Sequence, residues 1–132
     1  MRALPMICVR DVEAASAWYR AALGLTSVHG GAEFDMLASG AGDVILQLHV
    51  WEAHEHALFG SPDRPVGNGV AIWMETESAA AFDDVLGRIA AAGAAVADGP
   101  LFNPLGQHRE VWLHDLDGHL VVVASPYGDV PA

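Results

Sequence analysis

One order of apolar periodicities occurs twice along this chain, and that repetition restricts its fold more than any single motif. "ALPMICV" is short, apolar and partly β-branched, as a strand requires. "RDVEAASAWYRAALGL" follows as a helix: Val12, Ala15, Trp18, Tyr19 and Ala22 recur at helical spacing, Asp11 stands at the N-cap and Gly24 at the stop. "TSVHG", "EFDMLAS" and "DVILQLHVW" are three short strands, with turns at Gly30-Gly31 and in "GAGD". After the aperiodic "EAHEHALFGSPDRPVG" the order returns. "GVAIWMET" is a strand, "ESAAAFDDVLGRIAAAG" a helix ending at Gly93, and "AAVADGP", "HREVWLHD" and "LVVVASP" are strands. The expectation is an α+β fold of two tandem βαβββ modules, residues 1–51 and 68–132, joined by a connector at 52–67 within one domain. Each module is expected to curl its mixed sheet with the helix on the convex face, so that the two enclose a cup able to hold a ligand.

A chain of 132 residues is of single-domain length, and such a domain buries roughly two-thirds of its unfolded surface without disulfides or metals. Cys8 is the only cysteine, set in an apolar run. It reads as a buried thiol of a cytoplasmic protein, with no disulfide framework. Seventeen acidic residues against six basic ones leave a formal charge of -11, which opposes docking on nucleic acid or anionic lipid. No apolar run approaches the roughly 20 residues that span a bilayer, and the N-terminus lacks the pattern of a secretory signal. The charge itself is read first as a solvated surface.

The end of the chain, "HREVWLHDLDGHLVVVASPYGD", concentrates polar side chains. "DLDG" at 115–118 has type I turn chemistry, so Asp115 and Asp117 are turn residues, and His119 is expected to be exposed beside them. The calcium-loop pattern is missing. Strand alternation puts Arg109, Val111 and Leu113 on the helix side and His108, Glu110, Trp112 and His114 on the other. "VILQLHVW" divides likewise, with Gln47, His49 and Trp51 opposite Leu46 and Leu48. Trp18 and Trp73 are assigned to the core. Phe102, Asn103 and Pro104 are placed in a loop before the His108 strand. The expected ligand-binding set is therefore Met36, Gln47, His49, Trp51, Met74, Phe102, Asn103, His108, Glu110 and Trp112.

"VRDVEAASAWYRAALGL", "GNGVAIWMETESAAAF" and "HREVWLHDLDGHLVVVASP" together resemble the vicinal oxygen chelate superfamily, which contains glyoxalase I, extradiol dioxygenases and the bleomycin-resistance type of antibiotic-binding protein. The resemblance covers essentially the whole chain. It implies paired βαβββ modules, often in a homodimer, and metal ligands, in the metalloenzymes, on the first and last strands of each half. Carried onto this sequence, those positions fall at Leu4, Gln47, Val70 and Val122. Leucine and valine cannot ligate a metal and a lone glutamine amide is a poor anchor for one, so neither metal nor other cofactor is expected.

The leading expectation is sequestration without chemistry: binding of an aromatic or cationic small molecule, as antibiotic-binding members of that superfamily do, with no catalytic residues. The competing expectation is an enzyme, of lyase, isomerase or dioxygenase type. It would use a displaced metal site built from His49, His54 or His56, and His108 with Glu110, or His108 and Glu110 as acid and base. A third is an interaction module whose cavity has closed.

Overall fold

A computed structural model describes residues 2–51 and 59–130. It divides into two compact units, residues 1–66 and 67–132. His54 and His56 lie outside the described residues.

The first unit runs β1 (Met6–Val9), α1 (Val12–Leu23), β2 (Thr26–Ser27), β3 (Phe34–Ala38) and β4 (Val44–Val50). Its sheet order is β1-β4-β3-β2, with β1 parallel to β4 and the remaining pairs antiparallel. The helix starts where the Asp11 side chain accepts the Ala14 N–H at 2.9 Å, satisfying one of the donors a helix start leaves open. Val12, Ala15, Ser16, Tyr19, Ala22 and Leu23 form its buried stripe. The register puts Leu37 opposite Leu46 and Asp35 opposite Leu48, and all four are buried on the side that meets α1. Each enclosed leucine there contributes about 1.5–3 kcal/mol.

The second unit repeats the architecture strand for strand: β5 (Ile72–Glu75), α2 (Ala79–Ala92), β6 (Val96–Asn103), β7 (His108–His114) and β8 (Leu120–Ala124), in the order β5-β8-β7-β6. Again the first and last strands pair parallel. Ser78 caps α2 through the Ala81 N–H, and Phe82 and Ile89 are its buried residues. Val111, Leu113, Val121 and Val123 lie beneath it in register, all buried. Arg109 shares that side. Its guanidinium lies 4.8 Å from the Phe82 ring centre and donates to Asp83 at 2.7 Å and Asp129 at 3.3 Å. Among the described residues no helix is long and apolar enough to cross a membrane.

Three expectations need correction here. His119 is buried, not exposed: Asp115 Oδ1 accepts the His119 backbone N–H at 2.8 Å and Oδ2 faces the imidazole Nδ1 at 3.0 Å, so the turn folds its own histidine inward. Phe102 and Asn103 belong to β6, which extends to Asn103, and not to a loop. Trp73 is not core; it is 47% exposed, on the side of its sheet away from α2.

Candidate functional site

On the second unit, polar and aromatic side chains meet on the sheet side opposite α2. Cross-strand register places Trp73 opposite Val122 and Val122 opposite Trp112, a single row across β5, β8 and β7. The next row carries Glu75, Ala124, Glu110 and Leu101. Asn103 opposes His108 at the end of the β6–β7 pair. Alternation along β7 therefore delivers His108, Glu110 and Trp112 to one side because every second residue points the same way.

Glu110 is the hub. Its Oε1 accepts from Asn103 Nδ2 at 2.6 Å and lies 2.7 Å from His108 Nε2, while Oε2 accepts from Trp112 Nε1 at 2.9 Å. The residue is only 3% exposed. Burial pushes its carboxyl pKa upward, but the hydrogen bonds from Asn103, His108 and Trp112 outweigh burial and hold it below the ordinary value. A buried carboxylate with this many donors is ionised at neutral pH, and it pins three side chains on this side of the sheet at once.

Two glycines make room for the hub. Opposite Glu110, β6 is irregular between Asp98 and Leu101. There Gly99 has φ 93°, and a Cβ on it would lie 2.8 Å from the Glu110 carbonyl oxygen. Only glycine accepts both that conformation and that approach. Gly106 leaves the space that the His108 ring occupies: a Cβ on it would stand 2.6 Å from Nδ1.

Around the hub the aromatic rings touch. Trp73 and Trp112 have centroids 6.3 Å apart and planes at 88°, and Trp73 and His108 are 5.9 Å apart at 57°. Trp73 is the site residue that the sequence reading missed. The signal was available in its neighbours: Glu75 has the parity of Trp73, whereas Ile72 and Met74 share the other. Met74 and Phe102 need the opposite correction. Met74 pairs with Val123 and Phe102 with Arg109, which puts both on the α2 side, away from His108, Glu110 and Trp112. Extended segments rich in apolar residues on both sides do not display their parity.

On the first unit, the sheet side opposite α1 carries Met6, Cys8, Phe34, Met36, Gln47 and His49 by register. Met36 and Gln47 are partly buried and His49 is buried. The His49 ring lies 6.1 Å from Phe34 and 6.4 Å from Phe59, and Nδ1 is 2.8 Å from the Val50 carbonyl oxygen. Burial raises the Cys8 thiol above its ordinary pKa, as suits an inert thiol. Trp51 follows β4 at the same parity. Its indole Nε1 is buried with no hydrogen-bond partner among the described residues, an N–H of the kind that a ligand acceptor would satisfy.

The four positions carried over from the metalloenzymes do not fit a metal. Val122 is wholly buried between two indoles, Val70 is 64% exposed and Leu4 40% exposed. Gln47 directs its amide Nε2 to the Leu4 carbonyl oxygen at 3.0 Å. Among the described residues no three His, Cys, Asp or Glu side chains converge in a way that could hold an ion. Two cavities among the described residues lie on the helix sides. One of about 390 Å³ is lined by Leu86, Ile89, Val96, Pro100 and Val111 among others, and lacks polar groups to orient a guest. Another, of about 310 Å³, adjoins Asp35, whose Oδ1 is already taken by Ser27, Gly30 and Met36.

The family model described as the Glyoxalase/Bleomycin resistance protein/Dioxygenase superfamily matches residues 3–123. None of the curated proteins matches the chain. Among solved structures, it is similar to a glyoxalase/bleomycin resistance protein/dioxygenase family enzyme from Burkholderia phytofirmans, at 19% identity and TM-score 0.73 over 92% of this chain and 95% of that one. A virulence protein from Salmonella typhimurium is similar at 21% identity and TM-score 0.68 over 96% of both chains. The fosfomycin resistance protein FosX from Listeria monocytogenes is similar at 14% identity and TM-score 0.69 over 95% and 92%. At these identities the likeness is one of fold.

Proposed function

This chain belongs to the glyoxalase/bleomycin resistance protein/dioxygenase superfamily, and on that premise we propose that it is a metal-independent binding protein that sequesters an aromatic or amphiphilic natural product. The observation that carries the reading is the row Trp73–Val122–Trp112. Where the superfamily's metalloenzymes would present a ligand, this chain presents valine flanked by two indoles, a stacking surface in place of a donor. Asn103, His108 and Glu110 beside that row supply its polar handles, and the first unit by itself carries Met36, Gln47, His49 and Trp51 as a second polar and adaptable surface. A resistance or self-resistance role fits the resistance protein among the similar folds. The working form is a cytoplasmic homodimer.

Titration with aromatic and cationic antibiotics, followed by tryptophan fluorescence, tests the proposal. Saturable quenching that Trp112→Ala abolishes is expected. Absence of quenching by every compound, or stoichiometric zinc, nickel, iron or manganese in protein purified without chelator, would sink it.

A second reading is favoured by one distance, the 2.7 Å between His108 Nε2 and Glu110 Oε1. A carboxylate that orients an imidazole through one nitrogen leaves the other to take or give a proton, the arrangement of a metal-free isomerase or cyclase. Product formation that disappears in His108→Gln while ligand affinity persists would establish it over sequestration.

A further inference from the structure

We propose that the corner between Trp73 and Trp112 is a subsite for a quaternary or N-methylated ammonium group, with Glu110 as its buried counter-charge. The inference rests on the small-molecule reading above and commits it to one ligand chemistry.

Two indoles at 88° with centroids 6.3 Å apart present perpendicular ring planes, and the faces of such rings attract cations. Trp73 is 47% exposed, so its surface is open to a guest. The Trp112 indole N–H donates to Glu110 Oε2 at 2.9 Å. A carboxylate acceptor pushes electron density into the ring it holds, which strengthens the attraction of that ring for positive charge. Glu75, exposed and on the same side as Trp73, adds a second carboxylate at the rim.

Among the described residues no guanidinium stacks on either indole. The chain has no lysine, and Arg109, next to Glu110 in sequence, is turned to the other side. There it shows the same construction completed: a guanidinium 4.8 Å from the Phe82 ring centre with Asp83 and Asp129 alongside. The Trp73–Trp112 corner has the same ingredients, aromatic surfaces with flanking acids.

The enclosure of Glu110 selects the kind of cation. Both its oxygens are already bonded and the residue is 3% exposed, so it offers charge without offering a new acceptor. A primary ammonium would leave its hydration shell with no direct hydrogen bond from Glu110, and only the solvated Glu75 carboxylate at the rim to replace it. A methylated ammonium is weakly hydrated and has little or nothing to donate, so rings and a buried charge suffice.

Choline and its uncharged isostere 3,3-dimethylbutan-1-ol separate charge from shape. Titrations followed by the indole N–H resonances should give choline an affinity about 3- to 30-fold higher, with the Trp112 signal moving. The preference should vanish in Trp73→Leu and shrink in Glu75→Gln, a substitution at an exposed side chain. Equal binding of the isostere, or a preference unaltered in Trp73→Leu, overturns the subsite. The neutral aromatic 2-naphthol keeps the two claims apart. Binding of 2-naphthol without preference for choline defeats only the cation inference, whereas binding of none of the three probes defeats the small-molecule reading with it.

Discussion

Replacing Glu110 by glutamine preserves the shape of the side chain that holds Asn103, His108 and Trp112 together while removing its charge and one of its acceptor oxygens. The carboxylate receives Asn103 and His108 at one oxygen and Trp112 at the other. An amide can satisfy the two at its carbonyl oxygen only by turning its NH₂ toward the Trp112 N–H, or Trp112 only by turning the NH₂ toward the other two. Hydrogen bonds to a charged group contribute about 1.5–3 kcal/mol each, neutral ones about half, and a buried donor left facing a donor costs about 1–3 kcal/mol. Relief from burying a charge offsets part of this, which leaves a net loss of about 2–4 kcal/mol. For a chain of this length that corresponds to a Tm lowered by roughly 6–16 °C. Urea unfolding at several pH values is the assay. The folded-state pKa of Glu110 is depressed, so its contribution is complete above the ordinary glutamate value of about 4.3 and is lost as pH falls through the lower folded value. The variant should therefore show a flatter loss of stability in acid than the parent, with Asp35, whose pKa is also depressed, contributing to the slope that remains. A variant within about 0.5 kcal/mol of the parent and with the same acid slope would refute the argument, because no ionised hub loses so little.

Trp112→Phe breaks an N–H···carboxylate bond and Trp51→Phe breaks none, so chemical denaturation should find the first about 1.5–3 kcal/mol the more costly. Gly99→Ala sets a Cβ against the Glu110 carbonyl oxygen at φ 93°; a loss of at least about 2 kcal/mol is expected in the urea midpoint, since backbone on both sides must shift. In Gly106→Ala the strain falls on the His108 ring instead, and imidazole ¹⁵N shifts should report loss of the Glu110 bond for about 1–2 kcal/mol. Asp11→Ala removes the acceptor for the Ala14 N–H and should lower stability by about 1 kcal/mol, with no effect on ligand titrations.

What could be read without coordinates was whatever local chemistry specifies. Asp11 and Gly24 bound α1 and Gly93 ends α2 as read, because caps are decided by the residues beside them. "DLDG" turns the β7–β8 hairpin for the same reason. The polar-apolar alternation in "HREVWLHD" announced its two sides, and with them His108, Glu110 and Trp112. Tertiary structure decided the rest where alternation fell silent. "LVVVA" is apolar at every position since β8 lies between two neighbours with three of its valines enclosed, and "IWME" pairs with it. The parity of that parallel pair, and so the exchange of Met74 for Trp73, depends on register across strands distant in sequence. His119 went inward because Asp115 reaches its backbone and its ring together, a closure that turn composition does not specify. Residues adjacent in the chain choose caps and turns by direct contact; which side of a sheet a residue takes is chosen by partners dozens of residues away.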